Sequence, residues 1–278
     1  MSCIADSNSQ AADRGGAAAS PLSRKRIADA APRFEVEAVQ ETASTNTDLL
    51  QRVRQAQPPR PLLRAALRQT AGRGRLGRRW FAGAGNALLF SLAVPMKAEG
   101  ARIAAATLAC GVGAAEQLRA AGVPVSLKWP NDLMIEGRKL GGVLCELALD
   151  DEGRRTLVVG VGINLHLDAA TRDSIGQPAA ALDQAMAPVA SRESLIAGVA
   201  TAVLEALRLY DEQGFVPLQP RFMALFAHRD APVDLLEFGT RVASGRARGV
   251  DGEGRLLLDT AGGLRVCSSG ELSLRPAR

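Results

Sequence analysis

The spacing of apolar residues divides the chain into three parts. Residues 1–33 are rich in Ala, Ser, Gly and Arg and show no apolar period, so we expect a mostly disordered leader. Residues 34–229 mix runs of strand-like and helix-like spacing. Residues 230–278 contain short apolar runs separated by glycine turns, which predict a small β domain, either a barrel or a sheet.

Within residues 34–229, strands and helices differ in their apolar period. Strands are predicted at residues 34–39, 62–67, 86–95, 125–129, 139–147 and 156–165. Helices are predicted at residues 101–121, from Ser191 onward and at residues 217–227. Ser44, Thr45 and Asn46 lie between the first strand and a further helix. Their side chains either cap that helix or bind a ligand.

Composition and charge narrow the possible functions. The 278 residues are 47% hydrophobic and 23% charged, as in ordinary globular proteins. The net charge of +5 favours an anionic small ligand over nucleic acid. The four cysteines include no CxxC pair, which disfavours a zinc site and a disulfide framework and fits a reducing cytoplasm. The chain shows neither an apolar run of about 20 residues for a membrane span nor a signal peptide.

An arginine-rich stretch is the first candidate site. Six arginines and no acidic residue occur between residues 64 and 79. Glycines and arginines alternate at its centre, at Gly72, Arg73, Gly74, Arg75, Gly77 and Arg78. Glycine lets a backbone approach a ligand closely, and the arginine guanidinium matches phosphate and carboxylate groups. We therefore expect a loop that closes over an anion.

The run Lys128-Trp129-Pro130-Asn131-Asp132 is the second candidate site, at the end of a predicted strand. The proline fixes its own φ and keeps the preceding Trp129 extended. Polar side chains of different chemistry are thereby displayed on a stiff strand end. Pro-Asn-Asp is also a good turn sequence, but a turn does not explain the Lys and Trp before it.

Glycines mark two further strands as candidate ligand walls. Lys139 stands beside Gly141 and Gly142 and is either a ligand-contacting ammonium or a surface lysine. Gly160 and Gly162 alternate on one face of the strand at residues 156–165, and Asn164 follows at its end. Two small residues on one face indicate either a flat ligand wall or close backbone packing.

These motifs together resemble the biotin protein ligase family. The resemblance extends from about residue 34 to about residue 275. It rests on Ser44–Asn46, the GRGR run within residues 69–80, KWPND at 128–132, RKLGG at 138–142, GVGIN at 160–164, RGVD at 248–251 and GELS at 270–273. It implies an α/β (α+β) fold: a mixed-sheet catalytic domain at residues 34–229 and a small SH3-like β-barrel at residues 230–278.

The resemblance implies an ATP-dependent biotin–[acetyl-CoA-carboxylase] ligase that uses biotin, ATP and Mg²⁺. Biotin and MgATP give biotinyl-5′-adenylate and pyrophosphate, and the adenylate then acylates a lysine of a biotin carboxyl carrier protein. Cations in the site reduce the repulsion between the biotin carboxylate and the α-phosphate. A closing loop keeps water from the adenylate. We expect a cytoplasmic monomer or homodimer.

Family positions assign roles to residues of this chain. Biotin-binding roles are implied for Ser44, Thr45, Asn46, Gln69, Arg73, Gly74, Arg75, Lys139 and Gly142. Nucleotide-binding roles are implied for Arg75, Arg78, Trp80, Lys128, Asn131 and Asn164. Catalytic roles are implied for Lys139, Arg75, Asp132 and Arg73, and no metal-ligating residue is assigned. Asp132 is expected to orient or deprotonate the acceptor lysine, and Trp129 to form a wall for the biotin tail or the adenine.

Two other functions stay open. A lipoate–protein ligase belongs to the same superfamily, but the GRGR run and KWPND argue against it. A non-catalytic nucleic-acid-binding protein would use the arginines with aromatic stacking residues, whereas only 4% of this chain is aromatic. The roughly 33 residues before the catalytic region are too few for the N-terminal helix-turn-helix domain of some family members, so we expect no operator binding.

Overall fold

The computed structural model describes residues 19–80, 82–97, 103–167, 171–172, 175, 177–186, 190–268 and 272–277. The described helices are α1 (Arg24–Ala30), α2 (Thr45–Gln55), α3 (Ile103–Ala120), α4 (Arg192–Gln213) and α5 (Gln219–Leu225). The described strands are β1 (Glu35–Thr42), β2 (Leu62–Gln69), β3 (Ala87–Pro95), β4 (Ser126–Lys128), β5 (Asp132–Ile135), β6 (Arg138–Leu149), β7 (Arg155–Asn164), β8 (Pro232–Glu237), β9 (Thr240–Val250), β10 (Leu256–Thr260), β11 (Gly263–Cys267) and β12 (Leu272–Pro276).

A seven-stranded sheet forms the centre of the larger domain, in the order β1-β2-β3-β7-β6-β5-β4. The β1–β2 pair is parallel, and the other neighbouring pairs are antiparallel. This is the mixed sheet that the sequence resemblance implied. Because β6 and β7 run side by side with Gly142 opposite Gly162, the glycines of the two predicted ligand walls meet within the sheet.

Helices cover both faces of this sheet. Apolar side chains of α3 and α4 form the main core against one face. On the other face, α2 packs with Leu49, Leu50 and Val53 against Leu62 of β2 and Val158 of β7. A strand between two covered faces is buried on both sides. This accounts for the nearly unbroken burial of β3 and for its continuous apolar sequence.

The second domain is a five-stranded antiparallel sheet, in the order β11-β10-β9-β8-β12. The predicted C-terminal β domain is therefore confirmed, and among the described residues its sheet has β11 and β12 as open edges. Hydrogen bonds tie it to the larger domain. Trp129 Nε1 donates to the carbonyl of Gly254 at 3.2 Å, and Gln219 Nε2 donates to the carbonyl of Val250 at 2.7 Å.

The expectation of a disordered leader is wrong for residues 24–33. Ser23 caps α1 by accepting from the N–H of Arg26, and Ile27 is fully buried in the main core. The backbone N–H of Ser23 donates to Glu193 Oε1 of α4 at 3.1 Å. Leu22 and Ile27 are spaced too irregularly for a periodic pattern to appear, yet both bury apolar surface. Residues 1–18 lie outside the described part of the chain.

Among the described helices, none combines the length and apolar character that crossing a membrane requires.

Candidate active site

A cavity of about 480 Å³ opens where the ends of β4, β5, β6 and β7 meet the start of α2, the glycine–arginine loop and β12. Its wall contains every residue that the sequence assigned to the site: Ser44, Thr45, Asn46, Gln69, Arg73, Gly74, Arg75, Arg78, Trp80, Lys128, Asn131, Asp132, Lys139, Gly142 and Asn164. Residues up to 120 positions apart in sequence thus converge on one site. Their individual roles stay predictions.

The start of α2 forms one end of the cavity. Ser44 is the N-cap, and its Oγ accepts from the N–H of Thr47. The N–H and Oγ of Thr45 lie 2.7 Å and 3.0 Å from Gln69 Oε1, and the Thr45 hydroxyl also contacts the Ser91 hydroxyl at 2.7 Å. The capping interpretation of this motif is therefore confirmed. Capping and lining of the cavity are compatible, because the cap turns these side chains toward the sheet.

Two buried polar atoms at this end have no hydrogen-bond partner among the described residues. They are Asn46 Oδ1 and Trp80 Nε1. The side chains of Asn46 and Trp80 pack against β7, over the glycines Gly160 and Gly162. A Cβ on Gly160 would come within 2.7 Å of Asn46 Oδ1, and a Cβ on Gly162 would come within 2.8 Å of the Trp80 ring. An acceptor and a donor without partners, buried at a cavity wall, fit a ligand that bonds both.

The glycine–arginine loop crosses the cavity and reaches the second domain. Its base is closed by hydrogen bonds from the N–H of Gly74 to the Arg78 carbonyl and from the N–H of Trp80 to the Gly72 carbonyl. At its tip Gly77 has φ of 70°, a conformation that favours glycine. Arg75 Nη1 lies 3.5 Å from the carbonyl of Leu272 on β12, and burial lowers the pKa of Arg75.

Asp132 holds two ammonium groups at the other end. Its Oδ1 lies 2.6 Å from Lys139 Nζ, and its Oδ2 lies 3.3 Å from Lys128 Nζ. Burial alone would raise the pKa of Asp132, but the charges of Lys139 and Lys128 outweigh it and hold that pKa below the usual 3.8. Burial lowers the pKa of Lys128, which Asp132 partly offsets. Lys139 Nζ also lies 5.9 Å from the centre of the Trp80 ring.

This geometry favours one of the two roles expected for Asp132. A carboxylate whose pKa lies below 3.8 is a weak proton acceptor at neutral pH. Asp132 therefore suits the orienting role, in which it holds an ammonium ion in place, better than the role of a base that deprotonates the acceptor lysine.

The amides of Asn131 and Asn164 are oriented by the backbone. Asn131 Nδ2 donates to the carbonyl of Val143, and Asn164 Nδ2 donates to the carbonyl of Ala180, each at 3.0 Å. A side-chain carbonyl oxygen of this kind can accept from a ligand or face a cation. The segment that contains Ala180 pairs with Lys139, whose carbonyl accepts from the Ala180 N–H at 2.8 Å.

The expectation that Trp129 forms a wall for the biotin tail or the adenine needs a correction. Trp129 borders the cavity, yet its side chain is fully buried and packs in the main core. Its indole N–H donates a hydrogen bond to the backbone carbonyl of Gly254 in the second domain. The strand end that displays Lys128 and Asp132 also anchors the neighbouring domain, because alternate side chains of an extended segment point to opposite sides.

Sequence reasoning missed several residues at the site. Arg275 of β12 lines the cavity, and its Nη1 lies 3.3 Å from Gln177 Oε1. It stands two residues after the GELS motif, which pointed only to the second domain. Ser91 lines the cavity beside Thr45. Glu146 stands behind Asn46, and the two-residue period of β6 from Gly142 was the signal that places it on that side.

Comparison with known proteins identifies the family of this chain. Residues 38–164 match the Biotin/lipoate A/B protein ligase family, and residues 231–275 match the Biotin protein ligase C terminal domain. The biotin--[acetyl-CoA-carboxylase] ligase of Mycobacterium tuberculosis is 32% identical over 243 residues, which cover 86% of this chain and 88% of that protein. The chain belongs to the biotin protein ligase family. The biotin protein ligase resemblance of the sequence is thereby confirmed, together with the class of enzyme, a ligase.

One relative extends beyond the matched region. The bifunctional ligase/repressor BirA of Salmonella typhimurium is 36% identical over 210 residues, which cover 75% of this chain and 65% of that protein. The chain therefore aligns with just under two thirds of that relative's length.

A solved biotin protein ligase has the same fold. The biotin protein ligase from Aquifex aeolicus, in complex with biotin and ATP, superposes with a TM-score of 0.74 at 29% identity and covers 87% of this chain and 99% of its own. The fold class that the sequence predicted, a mixed-sheet catalytic domain followed by a small β domain, is confirmed.

Proposed function

We propose that this protein is an ATP-dependent biotin protein ligase that forms biotinyl-5′-adenylate and transfers the biotinyl group to a carrier lysine. The observation that supports this most directly is the division of the cavity. One end offers Asn46 Oδ1 and Trp80 Nε1, which have no partner among the described residues. The other end offers Lys128 and Lys139 around the Asp132 carboxylate, and Arg275 also lines the cavity. Biotin has a polar ureido group at one end and a carboxylate at the other, so it matches both ends.

The ureido end belongs beside α2. Asn46 Oδ1 accepts from a ureido N–H, and Thr45 and Gln69 form the neighbouring polar wall. A polar group buried without a partner costs about 1–3 kcal/mol, so a ligand that satisfies it gains over one that does not. The glycines of β7 let this wall lie close to the strand, which suits a flat ring system.

Adenylate formation takes place at Lys139. A carboxylate oxygen of biotin attacks the α-phosphorus of MgATP, a new P–O bond forms, and the bond to the β-phosphate breaks to release pyrophosphate. Lys139 pairs with Asp132 at the cationic end, and its Nζ lies 5.9 Å from the centre of the Trp80 ring. Its ammonium group offsets the repulsion of the two anions and the charge that develops at phosphorus.

The arginine loop retains the adenylate. Arg75 is half-buried and spans from the loop to β12, so the loop closes the cavity against the second domain. A closed site excludes water, which would hydrolyse the mixed anhydride. Arg73 and Arg78 add positive charge to the same wall.

Transfer requires a carrier lysine to enter the same cavity. The lysine amine attacks the biotinyl carbonyl carbon, an amide bond forms, AMP leaves, and the amine proton is lost to solvent. Asp132 orients the entering amine as it orients Lys139 and Lys128.

We propose a biotin carboxyl carrier domain as the partner, whose acidic surroundings at the acceptor lysine suit the arginines of the loop. The three described cysteines are free, which supports a cytoplasmic location.

Biotin-dependent exchange of pyrophosphate into ATP tests the first half-reaction. The protein is assayed with biotin, with lipoate and without acid. We expect exchange with biotin alone. Exchange with lipoate at an equal rate would instead support a lipoate–protein ligase. DNA binding with steep salt dependence and no exchange would support the nucleic-acid-binding alternative.

A further inference from the structure

Glu146 stands behind the ligand end of the cavity and does not line it. This residue of β6 uses a single carboxylate oxygen, Oε2, for two contacts. Oε2 accepts from Asn46 Nδ2 at 2.6 Å and from Arg73 Nη2 at 3.4 Å. The Glu146 side chain is 30% exposed, and nothing in the proposed reaction requires it to touch a substrate. The short contact to Asn46 is the stronger of the two by geometry.

The carboxylate determines which way the Asn46 amide faces. An ionised carboxylate only accepts hydrogen bonds, whereas a carboxamide has one donor end and one acceptor end. Nδ2 must therefore face Glu146. The opposite orientation would place two acceptor oxygens in contact inside a buried site. Oδ1 then necessarily faces away from Glu146, and it is the buried oxygen that has no partner among the described residues.

The surroundings of Asn46 leave this amide little other freedom. Asn46 is 4% exposed and lies in the first turn of α2, whose backbone is fixed by the Ser44 cap. Its amide rests on the bare α-carbon of Gly160, where a Cβ would come within 2.7 Å. The helix, the glycine and the carboxylate together hold the amide in one position.

We propose that Glu146 is a positioning residue that sets ligand choice by presenting Asn46 Oδ1 as an acceptor. A ligand with an N–H group at this end, such as the ureido group of biotin, satisfies that oxygen. A ligand of similar size without the N–H leaves it buried and unpaired, and a site built on a hydrogen bond discriminates strongly against such a ligand. This inference rests on the proposed function, because it takes the ureido group as the ligand's donor.

The Arg73 contact gives a competing explanation that a test must separate. If Glu146 acted only as a tether for the loop, its removal would affect the site through Arg73 and not through Asn46. That pair is 43% and 30% exposed, and exposed ion pairs contribute little. A double-mutant cycle between Glu146 and Asn46 distinguishes the two routes.

The experiment measures biotin-dependent pyrophosphate exchange for the parent, Glu146→Ala, Glu146→Gln, Asn46→Ala and the double variant Asn46→Ala/Glu146→Ala. Each is assayed with biotin and with a thiophane-pentanoate analogue that lacks the ureido ring. We expect Glu146→Ala to raise KM for biotin about tenfold and to change kcat less than about twofold. In the Asn46→Ala background, Glu146→Ala causes no further rise in KM for biotin. KM for the analogue is the same in the parent and in Glu146→Ala.

Two further variants serve as controls. Glu146→Gln keeps the shape and one acceptor, so we expect partial retention, with the selectivity for biotin over the analogue lowered about threefold. It also serves as the test if Glu146→Ala fails to fold. Glu41→Gln removes a carboxylate that pairs with Arg68 at 2.7 Å outside the cavity, and it is expected to leave every constant unchanged.

Three results would overturn the inference: unchanged selectivity in the folded Glu146 variants, multiplied effects in the double variant, or an equal rise in KM for the analogue. A parent protein that shows no biotin-dependent exchange would overturn the proposed function instead. The two failures are therefore distinguishable.

Discussion

Lys139 and Asp132 form a close ion pair in the cavity, with 2.6 Å between Nζ and Oδ1. Both belong to motifs that the sequence singled out, but their partnership is not visible there. Asp132 begins β5. The β4–β5 pairing places Lys128 opposite it, and the β5–β6 hairpin brings Lys139 to it. At the residue scale, the motifs identified the side chains that line the site, and only the structure showed which of them form ion pairs with one another.

Replacing Lys139 tests the role of this ammonium group in adenylate formation. We expect Lys139→Ala to slow biotin-dependent pyrophosphate release at least about tenfold, or about 1.4 kcal/mol, because the anionic reactants lose their nearest cation. The neighbouring Arg138 pairs with Glu136 and does not line the cavity, so Arg138→Ala is the matched control. Release by Lys139→Ala at the parent rate would contradict the assignment.

The Asp132 ion pairs predict how stability depends on pH. The folded-state pKa of Asp132 lies below the usual 3.8, so its stabilising contribution is present above that value and is lost as the pH falls through the lowered one. We expect Asp132→Asn to be less stable than the parent at neutral pH by roughly 3–5 kcal/mol, because two ammonium groups lose their counter-charge. The difference in unfolding free energy between the parent and the variant should shrink in acid, where Asp132 is protonated and, like asparagine, carries no charge.

Urea unfolding of the parent and Asp132→Asn at neutral pH and at several acidic pH values measures this difference. A difference in unfolding free energy that stays constant, or grows, as the pH falls would show that the folded-state pKa of Asp132 is not lowered.

At the scale of elements, β7 and the loop act together. The alternation of Gly160 and Gly162 left two interpretations open, a ligand wall or close packing. The structure combines them, since Asn46 and Trp80 pack on these glycines and themselves form the wall. Periodicity predicted the strand because its signal lies within ten residues. It could not predict which side chains fill the space, because those come from α2 and from the loop.

Alanine at Gly162 should therefore impair binding without impairing folding. A Cβ there would lie 2.8 Å from the Trp80 ring, so we expect Gly162→Ala to raise KM for biotin about tenfold. The change suits a strand backbone, and the unfolding free energy should move by less than about 1 kcal/mol. Gly111→Ala in α3 is the control, because its Cβ would meet Leu127 at an ordinary 3.5 Å. Equal KM values for Gly162→Ala and the parent would argue against the Trp80 wall.

The loop's contact with β12 predicts a loss of retention when Arg75 is removed. We expect Arg75→Gly to form biotinyl-5′-adenylate but to release it, because the half-buried guanidinium no longer bridges the loop to the Leu272 carbonyl. Ultrafiltration after a single turnover measures free against bound adenylate. Arg68→Ala removes an exposed arginine outside the cavity and should retain the adenylate as the parent does. Adenylate held equally firmly by Arg75→Gly would refute the bridging role.

At the scale of the whole molecule, the second domain completes the site. Leu272 and Arg275 of β12 border the cavity, while Trp129 fastens the turn at Gly254. The sequence predicted the existence of both domains and their order, since each has its own apolar period and glycine turns. It did not predict the contact between them, because Trp129 and Gly254 are 125 residues apart and neither segment has a pattern that refers to the other.

The Trp129 hydrogen bond should contribute to the stability of the assembled molecule. Trp129→Phe removes the indole N–H and leaves the Gly254 carbonyl without its donor, so we expect a loss of about 1–3 kcal/mol in the free energy of unfolding. Urea unfolding followed by circular dichroism measures this loss. An unchanged midpoint and slope would show that the two domains are held by other contacts.

Transfer of biotin to a carrier is the most direct test of the central claim. The protein is mixed with biotin, MgATP and a biotin carboxyl carrier domain, and the carrier's mass is followed with time, with Lys139→Ala in parallel. We predict the addition of one biotinyl group to a single carrier lysine, dependent on both biotin and MgATP and strongly slowed in Lys139→Ala. A carrier that stays unmodified with the parent protein would contradict the assignment of this chain as an active biotin protein ligase.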